Sequence, residues 1–206
     1  MTQDQRKVGA ALLEVARHAD VPSQALDDDG LIDAIPELTA LGETPQDRRW
    51  HPEGDVLVHS LWAADLAASH ALEYDLDGER RELLVMASLF HDVGKPQTTR
   101  RLNGRISSHG HAERGGEIFR ATGRRLALPR PLVDAVVAIV ETHMAHLSVH
   151  GDPSPRAVRR LQHRLAAAGT SLDDWGIVVR CDGEARGPAA RPDASVPWRR
   201  VAARLQ

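Results

Sequence analysis

Apolar and polar positions alternate along most of this chain with the period of an amphipathic helix rather than that of a strand. The spacing predicts a helix over residues 4–19 and a second that starts on Asp55 as N-cap and runs through VLVHSLWAADLAASHAL to about Leu72. Another spans Glu79 to Val93, with apolar residues at 83, 84, 86, 87, 89 and 90. Residues 112–126 follow, and Pro129 and Pro131 open a long apolar helix through Val149. Gly151, Pro153 and Pro155 interrupt the chain before helices near 156–168 and 171–184; the stretch 187–197 reads as a loop before a short final helix. Strand signals are poor, since β-branched alternations and aromatics are few. The pattern therefore predicts one all-α domain, residues 1–206, of about seven or eight helices.

At 206 residues folding buries roughly 70 % of the unfolded chain's surface, so a true core is expected. A net charge of −3 makes the whole molecule a poor electrostatic partner for nucleic acid, leaving only a local basic groove for that role. The single Cys181 has no internal disulfide partner, and MTQDQRKVGA lacks a signal peptide's apolar segment, so a cytoplasmic location is expected. No run of about 18 apolar residues suggests a membrane span. Of the 26 basic residues only Lys7 and Lys95 are lysines, and Lys95 directly follows HDVG.

Four apolar helices each carry a group that is costly to bury. His59 has Val56, Trp62 and Ala63 as helical neighbours; His91 and Asp92 close LVMASLF; His143 ends AVVAIVETH; Asp182 follows WGIVVRC. One such histidine is usually a hydrogen-bonded core residue, but four together accumulate desolvation costs that a shared cation removes. Imidazole and carboxylate donors suit Mn, Fe, Co, Ni or Zn, and the absence of cysteine ligands argues against a structural zinc. Cys181 reads as a small buried hydrophobe.

The stretches IPEL (35–38), PQDRRWHPEGDVLVHSL (45–61), SLFHDVGKPQTT (88–99) and HGHAERGGEI (109–118) resemble the HD superfamily of metal-dependent phosphohydrolases. In detail they are similar to the HD domain attached to bacterial CCA-adding tRNA nucleotidyltransferases. The resemblance covers roughly residues 30–190, and it implies a compact helical bundle holding one or two divalent ions, magnesium included. It places core metal ligands on His59, His91, Asp92 and Asp182, adds His111 and His143 for a second ion, and makes Asp92 the bridge. Two choices stay open: Glu184 competes with Asp182, and His109 with His111. No segment resembles a nucleotidyltransferase domain, so tRNA end-addition is not implied.

A bound divalent ion lowers the pKa of its water and polarises a phosphoryl oxygen, which suits phosphoester hydrolysis. The family resemblance gives Lys95 a phosphate-contact role and, with Asp92, a catalytic one; its bland alternative is a solvated cation at a helix C-terminus. Gly94 is expected to let the helix end turn. Arg100, Arg101, Arg105, Arg159 and Arg160 are candidate substrate contacts, each also readable as a solvated charge. His146 and His150 are either partners of the ligands or surface residues, and His51 is expected to order the turn before the first ligand helix. His18, His70 and His163 carry no signal.

The leading expectation is hydrolysis of a nucleotide or RNA-terminal phosphate, such as a 2′,3′-cyclic phosphodiester or a 2′-phosphate. The rivals are a di-iron oxygenase and a non-catalytic metal-binding regulatory module. Oligomeric state is not legible in the sequence, a dimer being one option.

Overall fold

A computed structural model of the chain describes residues 2–102, 104–148 and 151–205. It is mostly helical, and the twelve α-helical segments among the described residues exceed the seven or eight expected. The surplus lies in short pieces: α2 (Pro22–Asp28), α3 (Leu31–Ala34) and α4 (Pro36–Gly42) follow α1 (Gln3–His18), and α7 (Lys95–Thr98) is a single turn. Helices of four to seven residues are too short to display a helical period, which is why the pattern leaves them unassigned.

The long helices form where the periodicity places them, and each start has a physical cause. The Asp55 carboxylate accepts from the Val58 amide at 3.0 Å, capping α5 (Val56–Glu73). Asp77 caps α6 (Gly78–Phe90) through the Arg80 amide, and Ser171 with Asp174 forms a reciprocal capping box on α11 (Leu172–Glu184). Pro129 and Pro131 open α9 (Arg130–Thr142). Residues 130–142 alone are α-helical; the chain then tightens into a 3₁₀ segment, His143–Ser148, and Val149 lies outside the described residues.

Helix α6 sits at the centre, packed on α1, α5, α9 and α11. Every residue from Glu82 to Phe90 is buried, as expected of a helix that is apolar around its circumference. Its C-terminus therefore delivers His91 and Asp92 into the interior. Helix α8 (His111–Leu126) lies along α9, while α10 (Pro155–Ala167) and α12 (Val196–Ala203) close one side.

Between α7 and α8 the chain makes a small antiparallel hairpin: β1 (Arg100–Leu102) pairs with β2 (Arg105–Ser107), Arg101 opposite Ile106. Strands of three residues offer no alternation to read. No helix among the described residues is long and apolar enough to cross a membrane.

Candidate metal centre

Three histidines are oriented by the same local device. The Nδ1–H of His91 donates to the carbonyl of Ser88, that of His111 to Ser108, and that of His143 to Val140, each at 2.7 Å and each three residues back. Because a carbonyl only accepts, the proton is fixed on Nδ1 and the Nε2 lone pair points away from the backbone. His59 is held likewise, its Nδ1 facing the Ala185 carbonyl at 3.2 Å and the Glu53 carboxylate at 2.8 Å.

The four Nε2 atoms converge with two carboxylates. His59, His91 and Asp182 form one group, in which Asp182 Oδ1 lies 3.1 Å from His59 Nε2 and 3.9 Å from His91 Nε2. Asp92, His111 and His143 form the other. Asp92 faces both: its Oδ2 lies 3.1 Å from His91 Nε2, and its Oδ1 lies 3.3 Å from His111 Nε2 and 3.9 Å from His143 Nε2.

The chemistry of these donors fits a cation. His91 Nε2 is buried without a hydrogen-bond partner among the described residues. His111 Nε2 and His143 Nε2 stand 3.2 Å apart, so two lone pairs oppose each other when both rings are neutral. Burial, reinforced by the neighbouring His91 and His111 rings, pushes His143 down to about 3 and keeps it neutral. Burial opposes charge on His59 too, but hydrogen bonds to Asp182 and Glu53 overcome it and raise its pKa to about 9. Without a metal, His59 therefore carries a proton between two carboxylates, a place a metal ion can take. Asp92 and Asp182 are held well below the usual carboxylate range despite burial, Asp92 chiefly by Lys95 and His91, Asp182 chiefly by its hydrogen bond from His59.

The alternatives left open by the sequence separate in space. Glu184 turns away from the cluster to meet His70 at 2.9 Å and Arg180 at 2.7 Å. His109 is exposed, whereas His111 is buried. Lys95 lies with Nζ 2.6 Å from Asp92 Oδ2 and 2.7 Å from Gln46 Oε1, facing a cleft of about 380 Å³ above the cluster. Arg105 and Arg159 are exposed and do not line that cleft; Arg160 lines a neighbouring cavity of about 660 Å³. His146 also lines the cleft, its Nδ1 donating to the His143 carbonyl at 2.9 Å, and His150 lies outside the described residues.

The family model described as HD domain matches residues 56–168. The chain belongs to the HD domain family. That match takes in His59, His91, Asp92, His111 and His143 and ends before Asp182. A Multifunctional CCA protein of Legionella pneumophila (strain Paris) is 30% identical over 159 residues, 76% of this chain and 36% of that protein. One from Tolumonas auensis is 32% identical over 123 residues, 58% of this chain and 27% of that protein. This HD domain thus spans about a third of the length of the curated relatives it matches, and it is like the HD domain of CCA enzymes.

Two groups that complete the site in this HD domain are not singled out by sequence reasoning. Arg186 donates from Nη2 to Asp182 Oδ1 at 2.8 Å and from Nε to the Asp182 carbonyl at 3.2 Å; its only sequence signal is its place one helical turn after Asp182. The fully buried Glu53 side chain offers Oε1 to both His51 Nδ1, at 2.7 Å, and His59 Nδ1, at 2.8 Å. Burial raises a carboxyl pKa, yet the hydrogen bonds from His59 and His51 outweigh it and bring Glu53 to about 2. His51 is pushed down to about 4 by burial and by Lys95 and His59 nearby. Carboxylates behind ligating histidines typically contribute 10–100-fold in metal affinity. Glu53→Ala is expected to weaken metal binding by about that factor, read by competition with a chromophoric chelator, and unchanged affinity would refute the supporting role. Glu53→Gln, which keeps an acceptor oxygen, should recover part of the loss.

Gly94 also has a different reason from the one its sequence position suggests. Its φ of −81° and ψ of −15° are open to any residue, so no special turn requires it. A Cβ there would overlap the His111 carbonyl oxygen and come within 2.6 Å of the Gly115 amide nitrogen. The glycine permits close approach of the HDVG turn to the first turn of α8.

Proposed function

We propose that this HD domain is a metal-dependent phosphohydrolase acting on a nucleotide or RNA-terminal phosphate, with a 2′,3′-cyclic phosphodiester or a 2′-phosphate as its chemistry-level substrate. The observation that carries this reading is the convergence of four backbone-oriented imidazoles and two carboxylates beneath a cleft whose walls bear Lys95, Arg186 and Arg191. His59, His91, Asp92 and Asp182 would hold one ion and Asp92, His111 and His143 a second. Bound there, such ions supply an activated water and polarise a phosphoryl oxygen.

The chain's own part is to bind, orient and compensate charge. Lys95 holds the Asp92 carboxylate in place and presents an ammonium to the cleft, where it meets phosphoryl oxygens. Arg186 fixes the Asp182 carboxylate and adds a second positive charge at the cleft floor. The RNA-terminal choice is supported by the likeness to HD domains of CCA proteins.

The test is metal analysis of the purified protein coupled to hydrolysis assays on 2′,3′-cyclic nucleotides, nucleoside 2′-monophosphates and generic phosphoesters. Turnover with Mg or Zn under anaerobic conditions is expected. Strict dependence on iron and O₂ would replace the hydrolase with an oxygenase, and a full metal complement with no turnover would leave a non-catalytic metal-binding module. Chelation is expected to lower the melting temperature, and a metal at about 1,000 times its Kd should restore about 4 kcal/mol of stability. Identical melting curves with and without chelator would contradict a metal bound by the folded state.

A further inference from the structure

The cleft above the metal cluster carries three cations in different situations. Lys95 and Arg186 are matched by carboxylates, Asp92 at 2.6 Å and Asp182 at 2.8 Å. Arg191 has no carboxylate oxygen within 4.0 Å among the described residues, although it lines the same cleft. Its guanidinium instead lies 4.8 Å from the centroid of the Trp50 ring, and Arg49 stands over that ring at 5.0 Å. A cation–π contact orients a guanidinium without neutralising it, so its hydrogen-bond donors remain available to an acceptor.

The backbone around this pair is anchored. The Arg191 amide donates to the Gly183 carbonyl of α11 at 2.9 Å, and the Trp50 carbonyl accepts from Arg186 Nη1 at 3.4 Å. Arg186 thus links the metal-side carboxylate Asp182 to the wall that Trp50 and Arg191 form. Trp50 is 49% exposed, and Leu147, 60% exposed, also lines this cleft. Large apolar side chains left open beside uncompensated guanidinium are the elements of a groove for single-stranded nucleic acid, in which bases stack and phosphates pair with arginine.

We propose that Arg191, oriented by Trp50, forms a subsite for a second phosphate of the substrate, distinct from the phosphoryl group that reacts over the metal cluster. The inference rests on the phosphohydrolase reading and narrows it to substrates with two phosphates, an oligoribonucleotide end before a mononucleotide. Arg191 is a specificity-determining contact, and Trp50 positions it.

The experiment measures equilibrium binding of a 5′-fluorescein trinucleotide with a free 3′ end to the metal-loaded full chain by anisotropy. Inorganic phosphate, a nucleoside 5′-monophosphate and a nucleoside 3′,5′-bisphosphate serve as competitors. Arg191→Ala is expected to weaken trinucleotide binding about tenfold or more, as loss of a charge-assisted contact does, with Arg191→Lys intermediate. The salt dependence should fall by about one phosphate contact, a slope change of ~0.7 for a single strand. Trinucleotide and bisphosphate should both outcompete the monophosphate on the native chain, and only by a small margin on Arg191→Ala. A bisphosphate equal to the trinucleotide assigns the subsite to a small bisphosphate; a weaker one assigns it to the nucleic-acid backbone.

Wild-type affinity and salt slope retained in Arg191→Ala would overturn the subsite, as would failure of the native chain to bind the trinucleotide. Because binding is read without turnover, absence of hydrolysis across a phosphoester panel would refute the hydrolase reading separately. In turnover assays, the kcat/KM advantage of a trinucleotide over a mononucleotide should shrink through KM rather than kcat.

Discussion

Asp92→Ala should strip the protein of metal and lower kcat/KM for phosphoester hydrolysis about 1,000-fold, equivalent to about 4 kcal/mol of transition-state stabilisation. The reason is positional. Its two oxygens face different histidine groups, Oδ2 towards His91 at 3.1 Å and Oδ1 towards His111 at 3.3 Å. No other carboxylate in the two groups stands within 4.0 Å of both His91 and His111. Its removal also leaves the Lys95 ammonium with Gln46 as its remaining side-chain partner among the described residues, so the cleft cation loses its ionic anchor together with the ligand. Metal content measured by plasma mass spectrometry, turnover, and circular dichroism to confirm folding should be read on the same preparation. A folded Asp92→Ala variant keeping full metal and a tenth of the activity would end the case for this centre.

Gly94→Ala is the second large effect, and it acts through backbone rather than chemistry. The added methyl meets the His111 carbonyl oxygen and, at 2.6 Å, the Gly115 amide nitrogen, neither of which can rotate aside as a side chain could. Overpacking typically costs 1–3 kcal/mol, and a backbone opponent places this site near the top of that range, about 3 kcal/mol. For a chain of this size that corresponds to a melting temperature lower by roughly 6–12 °C. The relief available is for α8 to retreat from the HDVG turn, which separates His111 from Asp92, so a metal held by Asp92, His111 and His143 should be lost before one held by His59, His91 and Asp182. Thermal unfolding with metal stoichiometry measures both, and a variant within ~1 °C of wild type carrying its full metal complement would show that α8 yields without cost.

The sequence made the scaffold legible where apolar runs are long and their ends are capped by local chemistry. Asp55 and Ser171 mark helix starts because their side chains accept amides three residues on, a relation confined to four consecutive positions. Segments α2 to α4 and the β1–β2 hairpin escape because too few residues carry a period. His91, Asp92, His143 and Asp182 stand out because a polar group at the end of an apolar helix is anomalous one residue at a time, His59 because its helical neighbours are apolar, and His111 only through the family resemblance. Glu53 and Arg186 do not, since acids and arginines are ordinary in polar segments and only the fold shows that one is sealed behind His59 and the other beside Asp182. The basic residues of the hairpin and of α10 are candidate contacts by charge alone; Arg105 and Arg159 are exposed and do not line the cleft, while Arg191, in the stretch that reads as a loop, does. Gly94's place after the HDV turn suggests conformational freedom, whereas its ordinary φ and the close backbone of α8 make its lack of a side chain the reason for it.

The imidazoles of His91, His111 and His143 are each steered by a carbonyl of their own chain three residues earlier. Their orientation is therefore inherited from the main chain and is insulated from the identity of the side chains that form the cleft walls. Substitutions at Trp50, Leu147 or Arg191 therefore leave these three Nε2 atoms where they are. The carboxylates differ: Asp92 leans on Lys95 and Asp182 on Arg186, both of which line the cleft, so a change at either of those two cations reaches the ligand cluster while a change at Trp50 or Leu147 leaves these three imidazoles in place.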